Sequence, residues 1–322
     1  MTPRRVPLAC LPTPLVPAPR LAEILGSGPL WIKRDDLTGF AVAGNKARAL
    51  EYLLGDALDS GCDMLVAAGS VSSNFCAAAA VAARRCGLDC ELLLSESASV
   101  AGSTNVAIAR AVGALPHFDA APTRETLDIV LWDRVDALRA AGRRPYPLPR
   151  GGATPIGAAG YAYAAREIAE QTAALGIQPD IVVVPTGSGA TQAGLVAGTA
   201  GYGLPWHVIG ASVSRPIGEA TERVRALAKG CAAELGFQDP NPDDVDVRDL
   251  RGGGFGQASP ADRMSAELAL TAEGLLLEDH YGAQAMTLLR HVLAEERPGS
   301  ALFWSTGGLV AALAALGRAT PR

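Results

Sequence analysis

The sequence predicts an α/β fold with mostly parallel sheets. Along the 322 residues, short apolar runs alternate with longer alanine-rich segments of helical periodicity. The run DIVVV (180–184) is apolar after its first position, as expected of a parallel strand that is covered on both faces. Glycine-rich turns connect several runs to the segments that follow them. Repeated units of this kind indicate a parallel sheet flanked by helices.

The N-terminal 25 residues contain basic residues followed by apolar ones, as a targeting segment does. Five prolines lie between Pro7 and Pro19 and interrupt any helix there, so we predict an extended arm instead. The strands that follow are predicted from apolar runs at residues 30–33, 63–69, 90–94, 180–187 and 206–212.

Nine segments have the periodicity of helices that bury one face. They are residues 45–59, 73–86, 104–112, 123–141, 155–175, 189–201, 215–235, 282–296 and 307–317. Residues 238–260 are polar and rich in glycine and proline, so we predict a loop there, of the length that usually carries function.

Composition limits the classes of function. With 49% hydrophobic and 19% charged residues, the chain can bury a large core, as one large domain or two moderate ones. A net charge of −5 without runs of lysine or arginine indicates neither a nucleic-acid nor a membrane surface. The apolar stretches are far shorter than the roughly 20 residues that span a bilayer. The six cysteines form no CxxC pair, so we expect neither a metal site nor a disulfide framework. We expect a cytoplasmic protein whose partner is a small molecule.

Four glycine-rich turns are candidates for a ligand site, because ligands of parallel sheets bind beyond the carboxyl ends of the strands. They are GNKAR (44–48), GSVSSN (69–74), PTGSGATQAG (185–194) and WSTGG (304–308). The third offers consecutive backbone N–H groups, with the hydroxyls of Ser188 and Thr191, at the start of a helix. It is either a phosphate site or a structural turn, and it matches neither the Walker A loop nor the dinucleotide fingerprint.

The other turns contribute polar side chains. Ser73 or Asn74 either caps the helix that follows or presents donors to a substrate carboxylate. A serine nucleophile is not supported, because no G-x-S-x-G elbow surrounds it. Lys46 lies in the first turn of a predicted helix, where a cation is on the unfavourable side of the helix dipole.

One lysine, a phosphate loop and several neutral hydroxyls are the groups that pyridoxal phosphate catalysis requires. Five segments together resemble the fold-type II pyridoxal phosphate enzymes related to the tryptophan synthase β chain. They are PLACLPTPLVPAPRL, LWIKRDDLTGFAVAGNKARALEYLL, GCDMLVAAGSVSSN, VVVPTGSGATQAGL and FWSTGG. The resemblance spans nearly the whole chain in order, and is nearest to the D-cysteine desulfhydrase and 1-aminocyclopropane-1-carboxylate (ACC) deaminase branch.

The resemblance implies an architecture. Two open, twisted, mostly parallel α/β domains would hold the cofactor in the cleft between them. Residues 1–44 and 150–322 would form the larger domain, and residues 45–149 the smaller one with the Schiff-base lysine. Relatives of this kind are commonly homodimers, so a homodimer is expected.

The resemblance also implies roles. Lys46 would form the Schiff base with pyridoxal 5'-phosphate and move the substrate α-proton, and a positive helix end would lower the pKa of its free amine. The remaining cofactor contacts would be Asn45, Asn74 (ring oxygen), Gly187, Ser188, Gly189, Ala190, Thr191 (phosphate) and Thr306 (pyridine nitrogen). The substrate contacts would be Ser72, Ser73, Asn74, Phe255 and Tyr281, of which Ser73 and Tyr281 would share in catalysis.

A hydroxyl rather than a carboxylate at the pyridine nitrogen favours loss of a β-substituent over transamination. We therefore expect a lyase or deaminase that abstracts the α-proton of a small amino acid and releases a 2-oxo acid and ammonia, as a D-cysteine desulfhydrase does. Four residues depart from the family pattern and predict altered specificity. They are Ala49 (for a lysine near the phosphate), Ser72 (for glutamine), Phe255 (for tyrosine) and Gln284 (for lysine).

Other functions stay open at the level of sequence. Within the family they are β-replacement and ring opening of the ACC deaminase kind. A non-catalytic amino-acid or cofactor-binding protein could share the fold, although retention of Lys46 with an intact TGSGAT loop speaks against it. A nucleotide-dependent oxidoreductase lacks its fingerprint here.

Overall fold

The computed structural model describes residues 2–95, 103–119, 124–252 and 257–318. Within these ranges, ten strands form one six-stranded and one four-stranded sheet. The strands are β1 (Leu15–Pro17), β2 (Leu30–Arg34), β3 (Met64–Ser70), β4 (Asp89–Ser95), β5 (Leu115–Asp119), β6 (Pro145–Leu148), β7 (Ile181–Thr186), β8 (His207–Ser212), β9 (Asp246–Asp249) and β10 (Ala301–Ser305).

The larger sheet has the order β1-β2-β10-β7-β8-β9, and the smaller has the order β5-β4-β3-β6. Only the edge strand β1 pairs antiparallel among these described strands. The predicted α/β fold with mostly parallel sheets is therefore confirmed. The larger sheet draws its strands from residues 1–44 and 150–322 and the smaller from residues 45–149; the division into domains at these bounds stays a prediction.

Helices lie between consecutive parallel strands, as parallel pairing requires. The described helices are α1 (Pro19–Leu25), α2 (Lys46–Asp59), α3 (Asn74–Arg85), α4 (Thr104–Ala111), α5 (Arg124–Ala140), α6 (Pro155–Leu175), α7 (Ala190–Gly201), α8 (Ile217–Leu235), α9 (Pro260–Glu273), α10 (Gly282–Glu295) and α11 (Leu309–Arg318). Of these, α1 joins the antiparallel strands β1 and β2, and α11 follows β10. The nine helices predicted from periodicity are present, each within two residues at either end. None of the described helices has the length and apolar character needed to cross a membrane.

The prediction of an extended N-terminal arm was wrong at its end. Residues 15–17 do form a strand, but helix α1 begins at Pro19 and ends at Leu25, before Gly26 in the left-handed conformation. Proline is well tolerated in the first turn of a helix, where its missing N–H has no intrahelical partner to lose.

The predicted loop at residues 238–260 contains a strand. Asp246–Asp249 add β9 to the edge of the larger sheet beside β8. Val245 and Val247 are buried in the core while Asp246 between them is partly exposed, which is the alternation of an edge strand with one covered face. Polar residues on the outer face hid this strand from sequence reasoning.

Strand β7 lies in the middle of the larger sheet and has helices on both faces. Val182 and Val184 pack in one hydrophobic cluster, and Ile181 and Val183 pack in another on the opposite face. This confirms the prediction made from the continuous apolar run. The carboxyl end of β7 leads directly into the third glycine-rich turn.

Candidate active site

The first and fourth glycine-rich turns meet at the start of α2. The backbone N–H of Asn45 donates to the carbonyl of Thr306 over 2.8 Å. Gly44 has φ +54°, and a β-carbon there would lie 2.3 Å from the same carbonyl oxygen. Only glycine allows this approach, and it places Lys46 next to the loop that follows β10.

Asn45 also joins the third turn to this group. Its amide Nδ2 donates to Oγ1 of Thr191, in the first turn of α7, over 3.1 Å. The residue before Lys46 is therefore bonded to Thr306 through its backbone and to Thr191 through its side chain. Three of the four predicted turns converge on Lys46.

The loop of residues 187–191 has the form of an anion site. Helix α7 begins at Ala190 after Gly189, which has φ +95°, and has no side-chain N-cap. The backbone N–H groups of residues 187–191 donate none of the hydrogen bonds formed among the described residues. Unpaired donors at the positive end of a helix favour a bound phosphate.

The loop also leaves no room for larger residues. A β-carbon on Gly187 would lie 2.9 Å from the ring of Tyr281, so the absence of a side chain lets this ring lie against the loop. The free N–H groups of the loop, the positive end of α7 and the lack of bulky side chains together fit the phosphate group of the predicted cofactor.

Lys46 is half-buried as the first residue of α2. Burial lowers the pKa of its ammonium group to about 8. Within the described ranges, its Nζ forms no ion pair and no hydrogen bond. A lysine whose amine is neutral in a mildly alkaline solution can attack an aldehyde or accept a proton.

The second turn caps α3. The hydroxyl of Ser73 accepts the backbone N–H of Cys76 over 3.2 Å, which confirms the N-cap interpretation. The hydroxyls of Ser70 and Ser72 lie 3.1 Å apart. The substrate contacts predicted for Ser72 and Ser73 stay predictions.

Asn105 of helix α4, which sequence reasoning missed, fixes the amide of Asn74. Its Nδ2 donates to the carbonyl of Ser72 over 2.8 Å and to Oδ1 of Asn74 over 3.0 Å. A backbone carbonyl can only accept, so the amino group of Asn105 must face Ser72 and its second hydrogen must reach the oxygen of Asn74. Asn74 is thereby left with its own amino group to donate, which is what contact with a cofactor ring oxygen requires.

Residues 151 and 152 link this second turn to the phosphate loop. A β-carbon on Gly151 would lie 2.6 Å from Oγ of Ser188, and one on Gly152 would lie 2.6 Å from the ring of Phe75. Phe75 follows Asn74 in α3. Two glycines, which have no side chains, therefore lie between the second turn and the phosphate loop and allow the two to approach.

Glu278, also missed, positions Tyr281. Its buried carboxylate accepts the backbone N–H groups of His280 at 2.8 Å, Tyr281 at 2.9 Å and Gly282 at 2.6 Å. Burial raises the pKa of Glu278. A β-carbon on Gly308 would lie 2.2 Å from Cγ of Glu278, so the same side chain also contacts the loop after Thr306. The sequence did offer one signal for this role, because Glu278 is an acidic residue just before the start of α10.

The remaining predicted residues are placed as follows. Thr306 is 9% exposed and follows β10. Ala49 is buried on α2, and Gln284 is buried on α10 with its Nε2 donating to the carbonyl of Leu250 over 2.6 Å. Phe255 lies outside the described residues.

A buried ionic cluster holds α2 in place. Arg48, two residues after Lys46, bonds to Asp35 and to Glu167, and Lys33 donates to Glu167 over 2.5 Å. Lys33 and Asp35 belong to the KRDDLTG segment, whose part in the fold was not apparent from sequence. This cluster ties the helix of Lys46 to strand β2 and helix α6.

Comparison with known proteins identifies the family to which this site belongs. Residues 6–307 match the family described as pyridoxal-phosphate dependent enzyme. The chain belongs to this family. Its cofactor is therefore pyridoxal phosphate, as predicted.

Relatives of this pyridoxal phosphate enzyme carry two names. A Pyrococcus abyssi protein provisionally named as an ACC deaminase is 35% identical over 310 residues, covering 95% of this chain and 92% of its own. D-cysteine desulfhydrase of Salmonella choleraesuis is 34% identical over 320 residues, covering 96% and 95%. The predicted branch and the predicted class, a lyase or deaminase that depends on pyridoxal phosphate, are confirmed.

Solved structures agree with this family assignment. The crystal structure of an ACC deaminase homologue matches with a TM-score of 0.89 at 32% identity, covering 96% of this chain and 93% of that one. An O-ureido-L-serine synthase variant with bound O-ureido-L-serine matches with a TM-score of 0.70 at 14% identity, which shows likeness of fold alone. The predicted fold-type II architecture is confirmed.

Proposed function

We propose that this enzyme removes the α-proton of a small amino acid and eliminates its β-substituent, as a D-cysteine desulfhydrase does. The supporting observation is the convergence of Lys46, the phosphate loop and Tyr281 on one place. Asn45 connects the first two, and Gly187 packs against the third. In this reaction a base can remove the α-proton, an anion site can hold the cofactor phosphate, and a phenol can give a proton to the leaving group.

Each residue would have a definite task. The bound cofactor supplies an electron sink for the α-carbanion. Lys46 would hold the cofactor through its amine and, as a free amine, would carry the α-proton on Nζ. Asn74 would donate to the cofactor ring oxygen, residues 187–191 to its phosphate, and Thr306 would contact the pyridine nitrogen. Ser72 and Ser73 would bind the substrate carboxylate, with Tyr281 near the leaving group.

A substrate panel tests the proposal. Purified enzyme is incubated with D- and L-cysteine, chloroalanine, serine and diaminopropionate, and 2-oxo acid, ammonia and the released β-group are measured. With D-cysteine and water we expect pyruvate, ammonia and sulfide in equal amounts. Lys46→Ala is the control and should release none of them. Absence of 2-oxo acid from every β-substituted amino acid would overturn the proposal.

The same panel, extended with ACC and with an added thiol or amine, separates the alternatives. Ring opening would give a four-carbon 2-oxo acid from ACC, whereas β-replacement would give a new amino acid only when an added thiol or amine is present. The four departures from the family pattern, Ala49, Ser72, Phe255 and Gln284, support a specificity different from that of the named relatives.

A cytoplasmic location and a homodimer are part of the proposal. The resemblance to family members that are commonly homodimers supports the dimer. Sedimentation equilibrium of the purified holoenzyme should give twice the mass of one chain, and a monomer over the working concentration range would refute it.

A further inference from the structure

Two arginines bond to the back of the phosphate loop. The guanidinium of Arg215, which follows β8, donates to the carbonyl of Gly187. Nε of Arg223, on α8, donates to the next carbonyl, that of Ser188, over 2.8 Å. Arg215 is 4% exposed, and the Arg223 side chain lies along Gly189, where a β-carbon would be 3.7 Å from its Cγ.

These bonds determine where the loop amides point. In a planar trans peptide, the carbonyl of one residue and the N–H of the next point in opposite directions. Because Arg215 engages the carbonyl of Gly187, the N–H of Ser188 points away from the arginine. Because Arg223 engages the carbonyl of Ser188, the N–H of Gly189 does the same. Two successive donors are thus turned towards the side opposite the guanidinium groups.

The arginines also bring net positive charge. Arg215 pairs with Glu219 over 2.7 Å, and nearby Arg150 pairs with Asp128 over 3.0 Å. Arg223 forms no ion pair with any carboxylate in the described part of the chain. Burial and the charges of Arg215 and Arg150 lower the pKa of Arg223. One cation beside the loop is therefore not compensated by a bonded acid.

We infer that Arg215 and Arg223 are positioning residues for the cofactor phosphate, acting through the carbonyls of Gly187 and Ser188. They aim the loop amides at the phosphate, and the charge of Arg223 offsets its negative charge. The buried Ala49 on α2 supplies no cation, so Arg223 provides the positive charge that a lysine at that position would bring. The inference rests on the proposed function, because it assigns residues 187–191 to the phosphate.

The test compares two forms of the cofactor on the full chain stripped of its own. Dissociation constants for pyridoxal 5'-phosphate and for pyridoxal, which lacks the phosphate, are measured from the visible absorption of the bound ligand. Arg223→Gln and Arg215→Gln should each weaken binding of the phosphate form roughly ten- to hundredfold, the effect of losing a charge-assisted hydrogen bond. Binding of pyridoxal should change less than about threefold, within the scatter of single contacts.

Arg225→Gln is the matched control. Arg225 lies on the same helix and carries the same charge, but it bonds to Pro242 and Glu222 at the surface, so both affinities should stay those of the unaltered protein. Should Arg215→Gln fail to fold, Arg223→Gln still decides, because its side chain is only partly buried.

Unchanged affinity for the phosphate form in Arg223→Gln would overturn the inference, as would equal losses for both ligands. Failure of the unaltered protein to bind pyridoxal 5'-phosphate is a different result. It would overturn the cofactor site itself, and the inference with it.

Discussion

Asparagine in place of Asp35 is expected to destabilise the protein strongly. Oδ1 of Asp35 accepts hydrogen bonds from Thr13 at 2.7 Å and Arg48 Nη2 at 2.8 Å. Oδ2 accepts from Arg48 Nε at 2.8 Å and Tyr161 at 2.6 Å. Asp35 is completely buried and Arg48 is 2% exposed, so water cannot replace a lost partner.

The magnitude follows from these contacts. Asp35→Asn removes the charge and places an amino group among four donors, so at least two charge-assisted bonds are lost at about 1.5 to 3 kcal/mol each. Removing one partner of a buried ion pair costs about 3 to 5 kcal/mol. We expect the free energy of unfolding to fall by about that amount, because among the described residues Arg48 keeps only Glu167 as an anionic partner.

Urea unfolding at neutral pH, followed by circular dichroism, measures this loss. The adjacent Asp36 gives the control, because it pairs with Arg34 over 2.7 Å where both side chains are partly exposed. Asp36→Asn should cost less than about 1 kcal/mol. If the two variants lose similar stability, the buried cluster does not hold α2 in place as inferred.

The stability that Asp35 contributes should also depend on pH. Burial alone would raise the pKa of Asp35, but Arg48 and the Tyr161 hydroxyl outweigh it and lower the pKa from 3.8 to about 2. The native pKa is below the unfolded one, so the stabilisation is present above about pH 4 and is lost as the pH falls towards 2. Over that window the stability difference between wild type and Asp35→Asn should shrink by roughly 2 kcal/mol.

Three further outcomes are expected. The rate at which the cofactor-free protein takes up pyridoxal phosphate should rise with pH, with a midpoint near pH 8, because burial lowers the pKa of Lys46 to about 8. A rise centred near pH 10 would contradict this. Asn105→Asp should shift the visible band of the bound cofactor and weaken its binding about tenfold, because a carboxylate cannot donate to Asn74. Ser103→Ala, which removes the hydrogen bond from the N-cap residue of α4 to the carbonyl of Val71 in the same turn (2.7 Å), should leave the band in place. Gly187→Ala should lower the free energy of unfolding by about 1 to 3 kcal/mol by overpacking, measurable by urea unfolding.

Much of this molecule could be predicted from local sequence. Helical periodicity gave nine helices within two residues of their ends, because burial of one face imposes the 3.6-residue repeat on each segment separately. The all-apolar run of β7 predicted a strand covered on both faces, and motif residues predicted the cofactor. Short elements with polar outer faces, such as α1 and β9, gave no such signal.

The sequence by itself determined the α/β class, the family and the position of Lys46, because each is carried by periodic runs and short motifs that can be recognised one segment at a time. Only the tertiary structure showed which distant residues serve them. Asn105 orients Asn74 from 31 residues away, and Arg223 reaches Ser188 across 35. Their roles depend on the direction in which a donor points, which is set by packing of separate helices and leaves no pattern in the sequence.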